Sequence, residues 1–432
     1  MSLVILLLVL AAVGWLALYL VELLVRRPVP AAWLILMLVV ANELLDPVLI
    51  SRELGGFRVS VVDVGFGLVL SAGVLRVLRI REANRGQLVI GLLCVMAILS
   101  LLLGFGGGDL ANTFNEFRGY LGYLAAALYF STVVLDRQIR ERLAVAWLGA
   151  GIALGAVILV RWAGRLAGTD LGLIDRTYDA AIRVLNGPSS FFVASAGLVL
   201  LLPALESWAS RPRLQRYTGI ALLVMAIILN RRTVWLALVM ALVILLARRG
   251  QVGRRLALVA AVGLVLFLAL IPVLTEPEAE QSVAAAITDT GTLAWRIEGW
   301  TALLETGPDS APERLIGEPF GSGFQRDIRG NVRESNPHSF YVQTYLRTGV
   351  IGLGALVAAL WIGFTGAFRA GKDEAVPLSN EHLLVLLAMQ AIWFLAWPPG
   401  PDQGIILGLA VASAAMSSQS ALEERRAKLA VG

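Results

Sequence analysis

Apolar runs long enough to cross a bilayer, or nearly so, recur along the whole chain, and arginine clusters occupy every second gap between them. The runs are Leu3–Val25, Ala31–Ile50, Val59–Val77, Gln87–Leu103, Gly119–Leu135, Leu143–Val160 and Ser189–Leu205, then Tyr217–Leu229, Val234–Leu246, Leu256–Leu274, Phe340–Phe368, Leu383–Trp397 and Gly404–Met416. In lipid every backbone polar group must be satisfied inside its own segment, so the expected fold is an all-α, polytopic transmembrane bundle of about 13 helices. Only 16% of the 432 residues are charged. A soluble surface needs roughly 25%. Most outward faces are therefore expected to meet lipid. The net charge of +5 sits in short clusters between apolar runs, which is the pattern of membrane topology and not of nucleic-acid binding.

The clusters fix an orientation. Arg26–Arg27, Arg76–Arg85, Arg137–Arg142, Arg211–Arg216, Arg248–Arg255, Arg369–Lys372 and Arg425–Lys428 all fall on one side. The positive-inside rule makes that side cytoplasmic, with the N-terminus outside and the C-terminus inside. The chain opens directly on Leu3–Leu24 without a charged n-region or a small-residue cleavage site, so this stretch reads as a retained span. A single transmembrane domain, 1–432, is expected, with an external loop region at 275–337. Loops of that length are functional or disordered. A helical pattern over Leu293, Ile297, Trp300 and Leu304 predicts an ordered cap.

Two external features carry candidate chemistry. Arg231 and Arg232 sit at a hairpin tip, between cytoplasmic marks at Arg216 and Arg248. About 15 residues on each side give only ~23 Å of helix against a core of ~30 Å, so the pair should be recessed and in need of an anion. The alternative is that both side chains snorkel to headgroups. Further external arginines are Arg52, Arg58, Arg118, Arg161, Arg165, Arg176, Arg183, Arg296, Arg314, Arg326, Arg329 and Arg333. Singly, each reads as a solvated charge. Together they suggest an anionic ligand, because guanidinium matches phosphate bidentately.

Of the two histidines, His382 reads as structural, whereas His338 follows Pro337 at the end of the long loop as either a cap or a base. Glu43 and Asp46 are a catalytic carboxylate pair or partners for Arg52 and Arg58. Gly104–Gly108 lacks a following lysine and reads as a plain turn. One cysteine, two distant histidines and no close acidic triad give no metal cluster, so no metal or cofactor is expected.

Three stretches taken together resemble the O-antigen ligase and O-antigen polymerase superfamily of bacterial membrane glycosyltransferases. Arg231-Arg232-Thr233-Val234-Trp235-Leu236 resembles the family's Arg-Thr-x-Trp-Leu hairpin. Trp295-Arg296 with Trp300 precedes Gly317–Phe324, where Gly321 and Gly323 resemble its Gly-x-Gly. Pro337-His338-Ser339-Phe340, running into Gly349-Val350-Ile351-Gly352-Leu353, resembles its histidine-led helix. Ser339 stands where the family often has asparagine, and Arg347 where it often has an acidic residue. The resemblance spans residues 217–365 and implies a GT-C-like fold in the bacterial inner membrane with its active site facing the periplasm. It also implies transfer of a glycan from an undecaprenyl-pyrophosphate carrier to a glycan or lipid acceptor, with inversion and without a metal. Arg232 and Arg296 would clamp the pyrophosphate, Arg231 and Arg118 would add phosphate contacts, and His338 would take the acceptor proton. The alternative class is a transporter or flippase of polysaccharide or lipid-linked oligosaccharide. Such folds usually show two similar halves, and no internal repeat is visible here.

Overall fold

A computed structural model of the chain describes residues 3–45, 51–54, 57–80, 82–107, 109–169, 171, 183–206, 213–249, 291–328, 330–370 and 376–431. The helices before the long external loop are α1 (Leu3–Arg26), α2 (Pro28–Leu44), α3 (Val61–Arg79), α4 (Arg85–Gly106), α5 (Leu110–Phe130), α6 (Arg137–Leu166), α7 (Gly187–Glu206), α8 (Arg213–Ile228) and α9 (Arg232–Arg249). After it come α10 (Gly291–Thr306), α11 (Ala311–Ile316), α12 (Phe340–Arg369), α13 (Asn380–Trp393) and α14 (Pro401–Val431). Each apolar run of the sequence lies largely on a helix, except Leu256–Leu274, which is outside the described residues, as is Asp46. The all-α expectation needs one amendment. Two short antiparallel hairpins are present, β1–β2 (Ser51–Leu54 with Phe57–Ser60) and β3–β4 (Gln325–Ile328 with Asn331–Glu334).

Helix starts follow local chemistry. Ser60 with Asp63 and Asn84 with Gln87 form capping boxes at α3 and α4, and Asp109 and Asp136 accept from the first turns of α5 and α6. Among the described residues, α3, α4, α6 and α12 are each long and apolar enough to cross a bilayer. The α1–α2 pair is bent by 115° where Pro28 opens the second helix. The centre of the bundle is α5 against α14, with α3 and α4 packed on α5 and with α12 and α13 packed on α14. Tyr120 to Phe130 and Ile405 to Val411 are buried without interruption.

Cations from three of the clusters assigned to one side join helix ends. Arg76 donates to the carbonyls of Val25 and Thr132, Arg140 to that of Leu378, and Arg248 to that of Phe368 at 3.1 Å. These contacts gather the ends of α1, α3, α5, α9 and α12 at one pole. His382, at the same pole, is buried with its Nδ1 2.7 Å from the Ser379 hydroxyl, in keeping with a structural role.

The opposite pole carries α10, α11 and the β3–β4 hairpin. The α10 helix is ordered, but its buried face is not the expected one. Gly299 and Leu303 face inward, whereas Ile297 and Leu304 are exposed, because α10 packs on β3 through Gly299. Gly104 is also more than a turn residue. It belongs to α4, and the Phe320 carbonyl lies where a side chain would stand.

Arg347 ties this cap to the bundle. Fully buried, it contacts both Glu116 oxygens at 2.6 and 3.3 Å and Glu318 at 3.1 Å, donates to the Gly323 carbonyl, and stacks 4.3 Å over Phe324. Two residues on, Gly349 breaks α12 with φ 62° and ψ −166°. The Leu315 carbonyl would lie 2.2 Å from a Cβ there, so both the backbone and the space require glycine.

Candidate active site

The hairpin between α8 and α9 turns through Asn230, buried and left-handed at φ 51°, and through Arg231, whose carbonyl accepts from Val234 at 2.8 Å. Trp235 Nε1 donates to the Ile227 carbonyl at 3.0 Å and closes the tip. Arg231 does not snorkel. It is 6% exposed, donates from Nη2 to the Leu185 carbonyl at 2.9 Å, and places its guanidinium carbon 5.5 Å from the Trp397 ring centroid.

Arg296, on α10, reaches the same indole from another direction, with its guanidinium carbon 5.9 Å from the ring centroid. Burial pulls its pKa below the ordinary arginine value, and the positive charge of Arg232 pulls it further. Arg232 and Arg296 therefore lie close enough to repel.

His338 precedes α12 in the left-handed region, at φ 56°. Its N–H donates to Asn336 Oδ1 at 3.0 Å, and its ring meets Trp397 edge-on, centroids 5.8 Å apart at 70°. The turn is held on both flanks. Trp300 Nε1 donates to the Pro337 carbonyl at 2.6 Å, and the Phe340 N–H to the Phe394 carbonyl at 2.9 Å. A non-glycine residue in this conformation costs about 1–3 kcal/mol and persists only where its surroundings over-determine it.

Arg231, Arg296 and His338 thus converge on one indole, with Arg232 beside Arg296. Arg118 makes other contacts: Asp63 at 2.8 Å, the Arg58 carbonyl, and the Phe114 ring at 5.3 Å. Two arginines read as solvated charges are structural. Arg161, fully buried, pairs with Glu43 at 2.7 Å and donates to the Glu43 carbonyl at 2.8 Å. Glu43 is therefore an ion-pair partner, but of Arg161. Arg326, 4% exposed, donates to the Ser335 carbonyl at 2.6 Å and lies 5.7 Å from the Trp295 ring centroid. Sequence reasoning missed Trp397 altogether. The signal was the pair Trp393 and Trp397, one helical turn apart, running into Pro398-Pro399-Gly400-Pro401.

Chemically, the site offers guanidinium groups for a di-anion and an imidazole next to them. Among the described residues no group of three or more His, Cys, Asp or Glu is placed to hold a metal ion.

No curated protein matches the chain. Residues 217–357, about a third of its length, match the family model described as O-Antigen ligase. The matched segment holds the α8–α9 hairpin, Arg296, His338 and the first part of α12. Trp397 lies beyond it. Over that segment the chain is similar to the O-antigen ligase family.

Proposed function

We propose that the chain transfers a glycan from an undecaprenyl-pyrophosphate carrier to an acceptor hydroxyl at the periplasmic face of the inner membrane, as a polymerase or ligase of surface polysaccharide. The observation that carries this reading is the meeting of Arg231, Arg296 and His338 at Trp397. As the glycosidic bond breaks, its electron pair goes to the pyrophosphate oxygen, and charge grows on the leaving group. Arg232 and Arg296, with Arg231, hold that group, and their fixed charges stabilise it. His338 accepts the acceptor's proton as the acceptor oxygen attacks the anomeric carbon from the opposite face, giving inversion. Arg118 stays a peripheral candidate, since its contacts lie at Asp63 and Phe114.

Two opposite poles support an outward-facing site. Arg232 opens α9 and His338 precedes α12, whereas Arg248 and Phe368 join the far ends of those helices. The positive-inside rule supports reading the Arg248 pole as cytoplasmic and the candidate site as outward-facing.

The test is reconstitution. Purified chain given undecaprenyl-pyrophosphate-linked glycan and acceptor should release undecaprenyl pyrophosphate only when acceptor is present. Absence of release across polymer-forming and lipid acceptors would overturn the reading. Mass analysis of carrier-linked glycans in a deletion strain then separates the two activities. Loss of a polymerase leaves single repeat units on the carrier, and loss of a ligase leaves full-length chains.

A further inference from the structure

We infer that Trp397 is the positioning residue of the pyrophosphate site, one indole that holds two guanidiniums and the imidazole in register before substrate arrives. This rests on the function proposed above and extends it to a residue outside the matched segment.

The ring is fixed from several directions. It stacks on Trp393 with centroids 5.5 Å apart and planes 13° from parallel, and its Nε1 donates to Thr233 Oγ1 at 3.2 Å. At the start of α7 it fills the space beside Gly187, where a Cβ would fall 2.9 Å from Cε3 of the indole. Thus anchored, it meets Arg231 from the α8–α9 hairpin, Arg296 from α10 and His338 from the turn before α12. These three elements are distant in sequence, and Trp397 is the group they share.

An indole suits this task better than a carboxylate would. Its electron-rich face attracts a cation and offsets part of the repulsion between neighbouring guanidiniums. A neutral indole adds no anion to compete with the incoming pyrophosphate, as a carboxylate in its place would. Reorganisation on binding is correspondingly small.

The test uses full-length chain in detergent and four variants: Trp397→Phe, Trp397→Leu, Gly187→Ala and Arg296→Gln. Binding of undecaprenyl pyrophosphate is measured alongside the pH profile of transfer and thermal melting. Phenylalanine keeps an aromatic face, so binding should stay within about threefold of wild type, whereas leucine should weaken it about tenfold. Gly187→Ala should also weaken it, because the added methyl displaces the indole. The pH profile should move in the leucine variant and stay in the phenylalanine variant. Wild-type binding by a folded Trp397→Leu protein, with Arg296→Gln impaired, would overturn the role of Trp397 and leave the proposed function standing. Wild-type binding by both would overturn the two together. Should the leucine protein fail to fold, Gly187→Ala decides: wild-type binding there overturns the role of Trp397, and weakened binding beside a competent Trp397→Phe supports it.

Discussion

Trp300 donates its indole N–H to the carbonyl of Pro337 at 2.6 Å, so the helix that carries Arg296 also fixes the turn that carries His338. The proposed anion clamp and the proposed base are therefore one mechanical unit. Trp300→Phe keeps the ring but leaves the largely buried Pro337 carbonyl without this donor, at a cost of about 1–3 kcal/mol. Turnover should fall about tenfold or more while the donor KM changes little, since misplacing a base costs rate before binding. Steady-state kinetics check this, and an unchanged kcat would show that the His338 turn holds without its indole tether.

His338 itself permits a paired comparison. His338→Ala should lower transfer by about 10²-fold or more while retaining carrier binding. His338→Gly should be equally inactive. At φ 56° an alanine pays roughly 1–2 kcal/mol that glycine does not, so the glycine variant should melt at or above the alanine variant. Turnover in either variant would remove the imidazole from the mechanism.

The legible part of this architecture was the part set by lipid. Apolar runs and alternating arginine clusters located the helices and grouped their ends, because bilayer energetics act segment by segment. Helix length alone singled out Arg231 and Arg232, and Arg231 is buried. Tertiary pairing was beyond such reasoning. Glu43 and Arg161 belong to helices far apart in the chain, and nothing local marks them as partners. Trp397 only ends an apolar run in the sequence, and nothing there brings Arg231, Arg296 and His338 to it. The inward face of α10 is set by β3 and Gly299, so its apolar periodicity misassigned Ile297 and Leu304. The left-handed backbone at Asn230 and His338 has no signal in composition.

Arg296 should separate stability from activity. Its Nε is buried without a hydrogen-bond partner among the described residues, and burial with the charge of Arg232 disfavours its cation. Such a group is retained for function at a cost in stability. Arg296→Gln should melt no lower than wild type yet lose transfer, and added undecaprenyl pyrophosphate should raise its melting temperature less than that of wild type. Arg232→Lys keeps charge but loses the planar fork, so transfer should fall about tenfold or more. A fully active lysine variant would exclude a bidentate clamp, and a strongly destabilised Arg296→Gln protein would make Arg296 a structural cation.

Arg347 should behave in the opposite way, as a cation the fold cannot lose. Its removal in Arg347→Met leaves Glu116 and Glu318 facing each other without the guanidinium between them, and breaking such a pair costs about 3–5 kcal/mol. Burial already raises the pKa of Glu318 above the ordinary carboxylate value, and Arg347 is the main influence pulling it back. Without Arg347 it should rise further. A carboxyl group whose folded pKa exceeds its unfolded one binds protons more tightly when folded, so stability increases as pH falls through the folded pKa towards the unfolded value. The melting deficit of Arg347→Met should accordingly be largest at neutral pH and shrink on acidification, and Glu116→Gln with Glu318→Gln should restore part of it at neutral pH. A deficit independent of pH would mean that Arg347 holds the cap through the Gly323 carbonyl and Phe324 and not through its carboxylates.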